Sequence, residues 1–143
     1  MIKFIAERRI FVEYNEKSCG CIVLDNNKVL LVKHNVGHWD FPKGHMELGE
    51  TEIETAIREV KEETNIDVII PNNKDKYIVE YSPKENVWKQ VIFFVAEKIG
   101  GEIIPQKEEI ETIQWFELEE AVERINYESS KDIMRKVINS RVK

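Results

Sequence analysis

The sequence predicts an α/β domain in which a mixed β-sheet lies between helical layers. Its elements follow in the order strands, one helix, strands, two helices, and that order favours helices packed against a sheet. No linker rich in Pro, Gly or Ser divides the chain, so we expect residues 1–143 to form a single domain. The chain has 143 residues, 42% of them hydrophobic, which suffices for a real core.

The charge balance and the cysteines exclude several classes of protein. The net charge is −6 at pH 7, which argues against a stable nucleic-acid partner because such binding needs a basic surface. No signal peptide or apolar run of membrane length is visible, so we expect a cytoplasmic protein without a membrane partner. Cys19 and Cys21 lie two apart in a predicted strand and are poorly placed to bridge each other, which fits a reducing compartment.

The first part of the chain predicts strands. Residues 2–14 mix apolar, β-branched and charged side chains and predict one or two edge strands, followed by a break at residues 15–17. Two nearly continuous apolar runs, residues 18–24 and 28–33, flank Asp-Asn-Asn and predict a hairpin, since Asp and Asn tolerate positive φ. Their continuity indicates strands that are covered on both faces.

A helix beginning at about Glu52 is the most clearly marked element. Thr51 and Glu54 form the pattern of a capping box. Asn65 stands where a C-cap in left-handed geometry is expected. The apolar residues spaced as one helical face, which we expect to be buried, are Ile53, Ala56, Ile57 and Val60.

The other elements are predicted from turn residues and apolar periodicity. Residues 34–41 form a loop rich in aromatic and basic side chains that leads into Pro-Lys-Gly-His. We predict a loop at 71–75, a strand at 77–81, a turn at 82–86, a long strand at 87–97, a turn at 100–101, an acidic loop at 108–111, a strand at 112–116, and helices at 118–124 and 129–142 separated by residues 126–127.

Three glutamates of the predicted helix carry the chemistry. Residues three and four apart are neighbours on a helix, so Glu59, Glu62 and Glu63 should converge on one edge. Carboxylates that lie so close together repel one another unless a positive charge lies among them. Oxygen-rich clusters suit Mg²⁺ or Mn²⁺, which also bind substrate phosphates. The spacing therefore predicts a divalent-metal site for phosphate chemistry.

Residues 44–66 resemble the Nudix box, G-x5-E-x7-R-E-U-x-E-E-x-G-U, where U is aliphatic. The matching residues are Gly44, Glu50, Arg58, Glu59, Val60, Glu62, Glu63 and Ile66. Asn65 stands where the family has Gly, and Asn adopts the same backbone conformation at little cost. The resemblance implies a Nudix-type α/β/α sandwich that hydrolyses a nucleoside diphosphate linked to another group.

The resemblance also implies roles for individual residues. Glu59, Glu62 and Glu63 would be ligands of Mg²⁺ or Mn²⁺, together with the backbone carbonyl at Lys43 or Gly44. Glu50 and Arg58 would form a structural pair that holds the loop against the helix.

The general base is left open between a box glutamate and a later one. Glu109 is the later candidate, because it precedes Trp115 by the spacing of similar family members. Glu108 and Glu111 are its rivals, and the alternative role for each of the three is that of a solvated loop carboxylate.

Within the family, residues 39–45 (Trp-Asp-Phe-Pro-Lys-Gly-His) resemble the asymmetrical diadenosine tetraphosphate hydrolases. That resemblance, which also includes Lys89 and Tyr127, implies cleavage of diadenosine tetraphosphate to ATP and AMP. Lys43, Lys89 and His45 could bind phosphate oxygens. Tyr81 and Tyr127 could stack on an adenine. Packing is the simpler role for Trp39 and Trp88, and His34 and His38 are expected in loops or at the surface.

Other functions remain compatible with the same box. The substrate could be a 5′-triphosphate RNA end, an oxidised nucleoside triphosphate, ADP-ribose or a diphosphoinositol phosphate. The chain could also be a non-catalytic nucleotide sensor, although the complete set of box glutamates argues against that. The expected partner is a small-molecule nucleotide polyphosphate substrate, and the protein could be a monomer or a homodimer.

Overall fold

The structure, a computed structural model, describes the backbone of residues 2–5 and 10–141 and the side chains of residues 16–141. Within these residues the strands are β1 (Ile2–Ile5), β2 (Ile10–Asp25), β3 (Lys28–His34), β4 (Trp39–Asp40), β5 (Lys43–His45), β6 (Asp67–Ile69), β7 (Lys76–Lys84), β8 (Val87–Gly100) and β9 (Ile110–Glu117). The helices there are α1 (Glu52–Thr64), α2 (Leu118–Arg124) and α3 (Glu128–Arg141). The order confirms the predicted α/β class.

A parallel pair of long strands forms the middle of the sheet. β2 and β8 run parallel from the pair Tyr14 and Trp88 to the pair Leu24 and Glu97. β8 also pairs with β6 and β7, and β3 pairs with β9, all antiparallel. β2 and β3 pair only next to their turn, at Leu24 with Val29 and Asp25 with Lys28. The sheet is therefore mixed, as predicted.

Successive residues of the central strands point to opposite faces, so each strand supplies two cores. One core joins Ile22 and Phe93 to Met134 of α3, and the other joins Val23 and Phe94 to Val60 of α1. Helices thus cover both faces of the sheet, which confirms the α/β/α sandwich. Cys19 and Cys21 are free and buried within it. No helix in the described part of the chain is long and apolar enough to cross a membrane.

The first strands differ from the prediction at one point. The turn of the β2–β3 hairpin is confirmed, with positive φ at Asn26 and Asn27. The break predicted at residues 15–17 is wrong, because β2 continues through it with a register shift between its pairs at Tyr14 and Glu16. The partner strand β8 supports these polar residues in extended form. The predicted edge strands at 2–14 correspond to β1 and the start of β2, and residues 6–9 lie outside the described part.

Later boundaries shift in the same direction, because strands are longer than their apolar runs. β7 continues to Lys84, so the predicted turn at 82–86 is reduced to Glu85 and Asn86. β8 continues through Gly100, and β9 begins at Ile110, inside the predicted acidic loop. The short strands β4, β5 and β6 were not predicted, since two or three residues carry no periodicity. α2 has the predicted bounds, α3 begins one residue early at Glu128, and residue 142 lies outside the described part.

Both predicted ends of α1 are confirmed, but its buried face is rotated. The Thr51 side chain accepts from Glu54 N, and Asn65 has φ 68° and ψ 9°. Ala56 and Val60 are buried as predicted, whereas Ile53 and Ile57 are only partly covered. The additional buried residues of the helix are Thr55, Glu59, Glu63 and Thr64. The helix therefore buries two of the three candidate metal ligands along with its apolar face.

Replacing Thr51 by Ala should lower the free energy of unfolding by about 1 kcal/mol. The substitution removes the oxygen that accepts from Glu54 N at 3.1 Å and leaves that donor without its cap. Urea denaturation followed by circular dichroism would measure the loss. Thr51→Ser keeps the oxygen and should stay close to the wild type. Equal stability of the Ala and Ser variants would contradict this account of the helix start.

Candidate active site

The strand β5 brings the start of the box against α1. It pairs antiparallel with β2, with Cys19 opposite Gly44, and this pairing fixes the backbone of residues 43–45 beside the helix. A Cβ atom at Gly44 would overlap the carboxylate of Glu59. Glycine is therefore needed here so that a buried carboxylate can lie directly against the strand backbone.

Arg58 ties the loop that follows β5 to the helix. Its Nε and Nη2 donate to the two oxygens of Glu50 at 2.5 and 2.9 Å, and Nη2 also donates to the carbonyl of His45 at 3.0 Å. The hydrogen bonds from Arg58 to Glu50, and to a smaller extent the one from Glu47 N, lower the pKa of Glu50 to about 2. The predicted pairing of Glu50 and Arg58 is confirmed, and it holds the loop in one place.

The carboxylates of Glu59, Glu62 and Glu63 accept hydrogen bonds from basic side chains and from the backbone. Arg58 Nη1 donates to Glu59 Oε2 at 2.8 Å and to Glu62 Oε2 at 2.7 Å. Lys107 Nζ donates to Glu59 Oε1 at 2.7 Å. Glu63 Oε1 accepts from Lys43 N at 3.1 Å. Arg58 and Lys107 thus supply the positive charge expected among these carboxylates. Among the described side chains no three His, Cys, Asp or Glu are gathered closely enough to share one ion.

The three carboxylates differ in their exposure to solvent. Glu59 and Glu63 are 4% and 3% exposed, whereas the side chain of Glu62 is 44% exposed. Burial raises the pKa of Glu63 to about 7, and the charge of Lys107 opposes that rise. The Arg58 guanidinium has a raised pKa because it donates to Glu50 and lies against Glu59. The site thus joins two buried acids to one acid at the surface.

The chemistry of these groups fits a hard divalent cation. Carboxylate oxygens from Glu59, Glu62 and Glu63 and the nearby carbonyl at Lys43 or Gly44 are the ligands that Mg²⁺ and Mn²⁺ prefer. Gly44 leaves the space that brings the Glu59 carboxylate to the strand backbone. Glu59 and Glu62 would exchange contacts with Arg58 and Lys107 for contacts with the ion.

The loop carrying Glu109 lies next to this centre. Asn35 fixes the loop to the end of β3, because its Nδ2 donates to the carbonyl of Glu108 and its backbone N donates to the carbonyl of Glu109. Glu109 is exposed and follows Lys107 by two residues. Glu111 pairs with Lys33 at 3.4 Å. Glu109 therefore lies on the same short loop as the ammonium group that contacts Glu59.

A cavity of about 430 Å³ opens beside the carboxylates. Its lining includes Tyr81 and Tyr127, which are 42% and 46% exposed, and it also includes Lys43 and the buried Asp40. Tyr127 Oη lies 3.0 Å from His38 Nδ1, with the two rings edge to face. Lys43 lines this cavity, and its backbone N donates to the Glu63 carboxylate. The cavity and the carboxylate centre are therefore adjacent.

The two other candidate phosphate-binding residues meet at one carboxylate. Lys89 Nζ and His45 Nε2 each lie 3.5 Å from Glu16 Oε2. The hydrogen bond from His45 and the charge of Lys89 lower the pKa of Glu16. A phosphate would compete with Glu16 for both side chains.

Sequence reasoning missed several residues of this region. Lys107 stands in a Lys-Glu-Glu run in which the sequence predicts candidate roles for Glu108 and Glu109 only. Asp40 and His38 belong to the same motif region as Trp39, and their polarity so near the box was the available signal. His38 is exposed in a loop as expected, yet it contacts Tyr127. Packing of Trp39 is confirmed, since it is 8% exposed and lies edge to face with Phe116.

The sequence matches the NUDIX domain over residues 15–137, and the chain belongs to the Nudix hydrolases. It is 30% identical to the mouse asymmetrical bis(5′-nucleosyl)-tetraphosphatase in an alignment that covers 80% of this chain and 88% of the mouse protein. The fold matches a binary complex of the C. elegans Ap4A hydrolase with a TM-score of 0.74 and 28% identity, over 87% of this chain and 96% of that one.

A relative with another substrate is also similar. The 8-oxo-(d)GTP phosphatase of Mycolicibacterium smegmatis is 28% identical over 100 residues, which is 70% of this chain and 30% of that protein. The family thus fixes the reaction class, a hydrolysis of nucleotide compounds, while its members differ in the substrate that they take.

Proposed function

We propose that the chain is an Mg²⁺-dependent hydrolase of dinucleoside polyphosphates that splits diadenosine tetraphosphate into ATP and AMP. The observation that carries the proposal is the cavity flanked by Tyr81 and Tyr127, which lies beside the carboxylate centre and reaches it through Lys43. The similarity to the mouse tetraphosphatase and to the C. elegans Ap4A hydrolase supports the same substrate.

The cavity would bind a base and thereby select which phosphorus reaches the carboxylates. Tyr81 and Tyr127 are both partly exposed, and stacking of a base on an aromatic ring contributes about 1–3 kcal/mol. A base held there fixes how far the phosphate chain extends before it reaches the box carboxylates. One phosphorus is then presented for attack.

Basic side chains around the centre would bind the phosphates. Lys43 lies between the cavity and Glu63, so its ammonium can neutralise the phosphates nearest the base. Lys89 and His45 would each release Glu16 to bind other phosphate oxygens of the substrate. The protein therefore offers several basic side chains to the polyphosphate.

The glutamates of α1 and the loop that carries Glu109 would carry out the hydrolysis. Glu59, Glu62 and Glu63, with the carbonyl at Lys43 or Gly44, would hold Mg²⁺ or Mn²⁺. The bound ion would neutralise the polyphosphate and lower the pKa of the attacking water. Glu109 would accept a proton from that water, with a box glutamate as the alternative base. One water adds across one phosphoanhydride, which releases ATP from one side and AMP from the other.

The products of diadenosine tetraphosphate test the proposal. With Mg²⁺, chromatography should show ATP and AMP in equal amounts, and EDTA should stop their formation. In H₂¹⁸O, the label should appear in only one of the two products and thereby identify the attacked phosphorus. Formation of two ADP molecules, or no turnover, would contradict the proposal.

A panel of other substrates distinguishes the alternatives. An oxidised nucleoside triphosphate is the second candidate, because the M. smegmatis 8-oxo-(d)GTP phosphatase is similar over most of this chain. Faster turnover of 8-oxo-dGTP, ADP-ribose, a diphosphoinositol phosphate or a 5′-triphosphate RNA would assign the chain to another Nudix substrate. Tight nucleotide binding with no turnover of any compound would indicate a sensor.

A further inference from the structure

We propose that Lys107 exchanges the Glu59 carboxylate for a phosphate oxygen of the substrate when a divalent ion binds. Lys107 would then be a phosphate-binding residue of the active site that also competes with the ion in the absence of substrate. The inference rests on the proposed function in that it requires a divalent ion at Glu59 and a nucleotide phosphate beside it.

The Lys107 ammonium contacts the buried carboxylate of Glu59, which Arg58 contacts as well. Its Nζ is 2.7 Å from Glu59 Oε1, and Arg58 Nη1 is 2.8 Å from the other oxygen of the same carboxylate. Glu63 and Glu62 also attract the Lys107 charge. The Lys107 side chain is 27% exposed and that of Glu59 is 6% exposed, so solvent only partly screens the pair.

The backbone around Lys107 is fixed on both sides. Gln106 Nε2 donates to the carbonyl of Lys61 at 2.8 Å and to Asn65 Oδ1 at 3.1 Å, which ties the loop to the end of α1. On the other side, the carbonyl of Lys107 accepts from Ile110 N at 3.1 Å, and Asn35 N donates to the carbonyl of Glu109. The side chain is thus the part of Lys107 that can move, and its flexible stem keeps the ammonium near the carboxylates.

A divalent ion on Glu59 reverses the forces on this ammonium. The ion attracts the carboxylate more strongly than a single charge does, and it repels the ammonium that lies 2.7 Å from the same oxygen. The substrate brings new negative charge to the same place, since its phosphates bind the ion. Lysine binds phosphate as a point charge in many orientations, so a short swing of the side chain replaces one anionic partner with another.

The variant Lys107→Met tests both halves of the exchange, because it keeps a similar stem and removes the charge. Without nucleotide, Mn²⁺ binding followed by electron paramagnetic resonance should show a Kd about tenfold lower than that of the wild type. At saturating Mg²⁺, calorimetric titration with β,γ-methylene ATP should show a Kd about tenfold higher. A purely structural role of Lys107 would weaken both.

Two control variants separate this contact from general charge and from folding. Lys107→Arg keeps a cation on the loop and should move both constants less than Lys107→Met does. Lys61→Met removes one positive charge from α1, where its Nζ pairs with Asp67 at 3.0 Å, and it should leave both constants within about twofold of the wild type. Circular dichroism checks that each variant is folded.

The exchange is overturned if Lys107→Met binds Mn²⁺ no more tightly than the wild type. It is also overturned if Mn²⁺ binding tightens but the affinity for β,γ-methylene ATP is unchanged, since the ammonium then moves to solvent. A wild-type protein that binds no Mn²⁺ at millimolar concentration would refute the metal-dependent function, and the exchange with it. A shift in the two constants in opposite directions supports the exchange.

Discussion

Replacing Glu62 by Gln should lower metal-dependent turnover on the order of a thousandfold, because the proposed site then loses one charged ligand of the divalent ion. The free energy of unfolding should change by less than about 0.5 kcal/mol, as for other partly exposed positions. The Glu62 side chain is 44% exposed, and its contact is with Arg58 Nη1 at 2.7 Å. A Gln side chain keeps an oxygen that can accept the same hydrogen bond.

Two other glutamates of α1 provide controls for this prediction. Glu54→Gln makes the same chemical change at an exposed position, and Gln also serves in a capping box, so activity and stability should be retained. Glu59→Gln should lose stability as well as turnover, because Glu59 is buried between Arg58 and Lys107. Steady-state turnover of diadenosine tetraphosphate and urea denaturation measure the two effects. An active Glu62→Gln variant would refute the metal assignment.

The features that the sequence predicted well are those decided by near neighbours. The cap at Thr51 depends on a residue three positions away, and the left-handed Asn65 depends on the end of its own helix. The β2–β3 turn needs only two adjacent Asn residues. The pairing of Glu50 with Arg58 spans eight residues and was available through the family resemblance. Local chemistry and a spaced motif therefore predicted the helix, the hairpin and the pairing of Glu50 with Arg58.

The features that could not be predicted depend on contacts between distant parts of the chain. Lys107 meets Glu59 across 48 residues, and nothing in its own segment distinguishes it from a solvated lysine. The continuation of β2 through residues 15–17 depends on a partner strand more than 70 residues later. The rotated burial of α1 follows from β5, which covers the flank carrying Glu59. Tertiary packing decided each of these against the local pattern.

Replacing Arg58 by Met should lower the free energy of unfolding of the metal-free protein by about 2–3 kcal/mol. The change removes two charge-assisted hydrogen bonds to Glu50 and leaves the buried Glu59 with only one of its two cationic partners. It also frees the carbonyl of His45. Because the loop is then no longer held against α1, turnover should be lost along with stability.

The Arg58 prediction can be checked by how the free energy of unfolding depends on pH and on added Mg²⁺. Glu50 has a folded pKa of about 2 instead of 4.5, so the stability that this pair contributes is present above pH 4.5 and is lost as the pH falls towards 2. The difference between wild type and Arg58→Met in urea denaturation should therefore shrink over that interval.

Mg²⁺ should narrow the difference at pH 7, since a bound cation compensates the unpaired carboxylates. Arg58→Lys keeps the charge but cannot bind Glu50 in two places, so it should fall between the two. A loss of stability that does not depend on pH would mean that Arg58 acts through packing of its stem and not through its carboxylate partners.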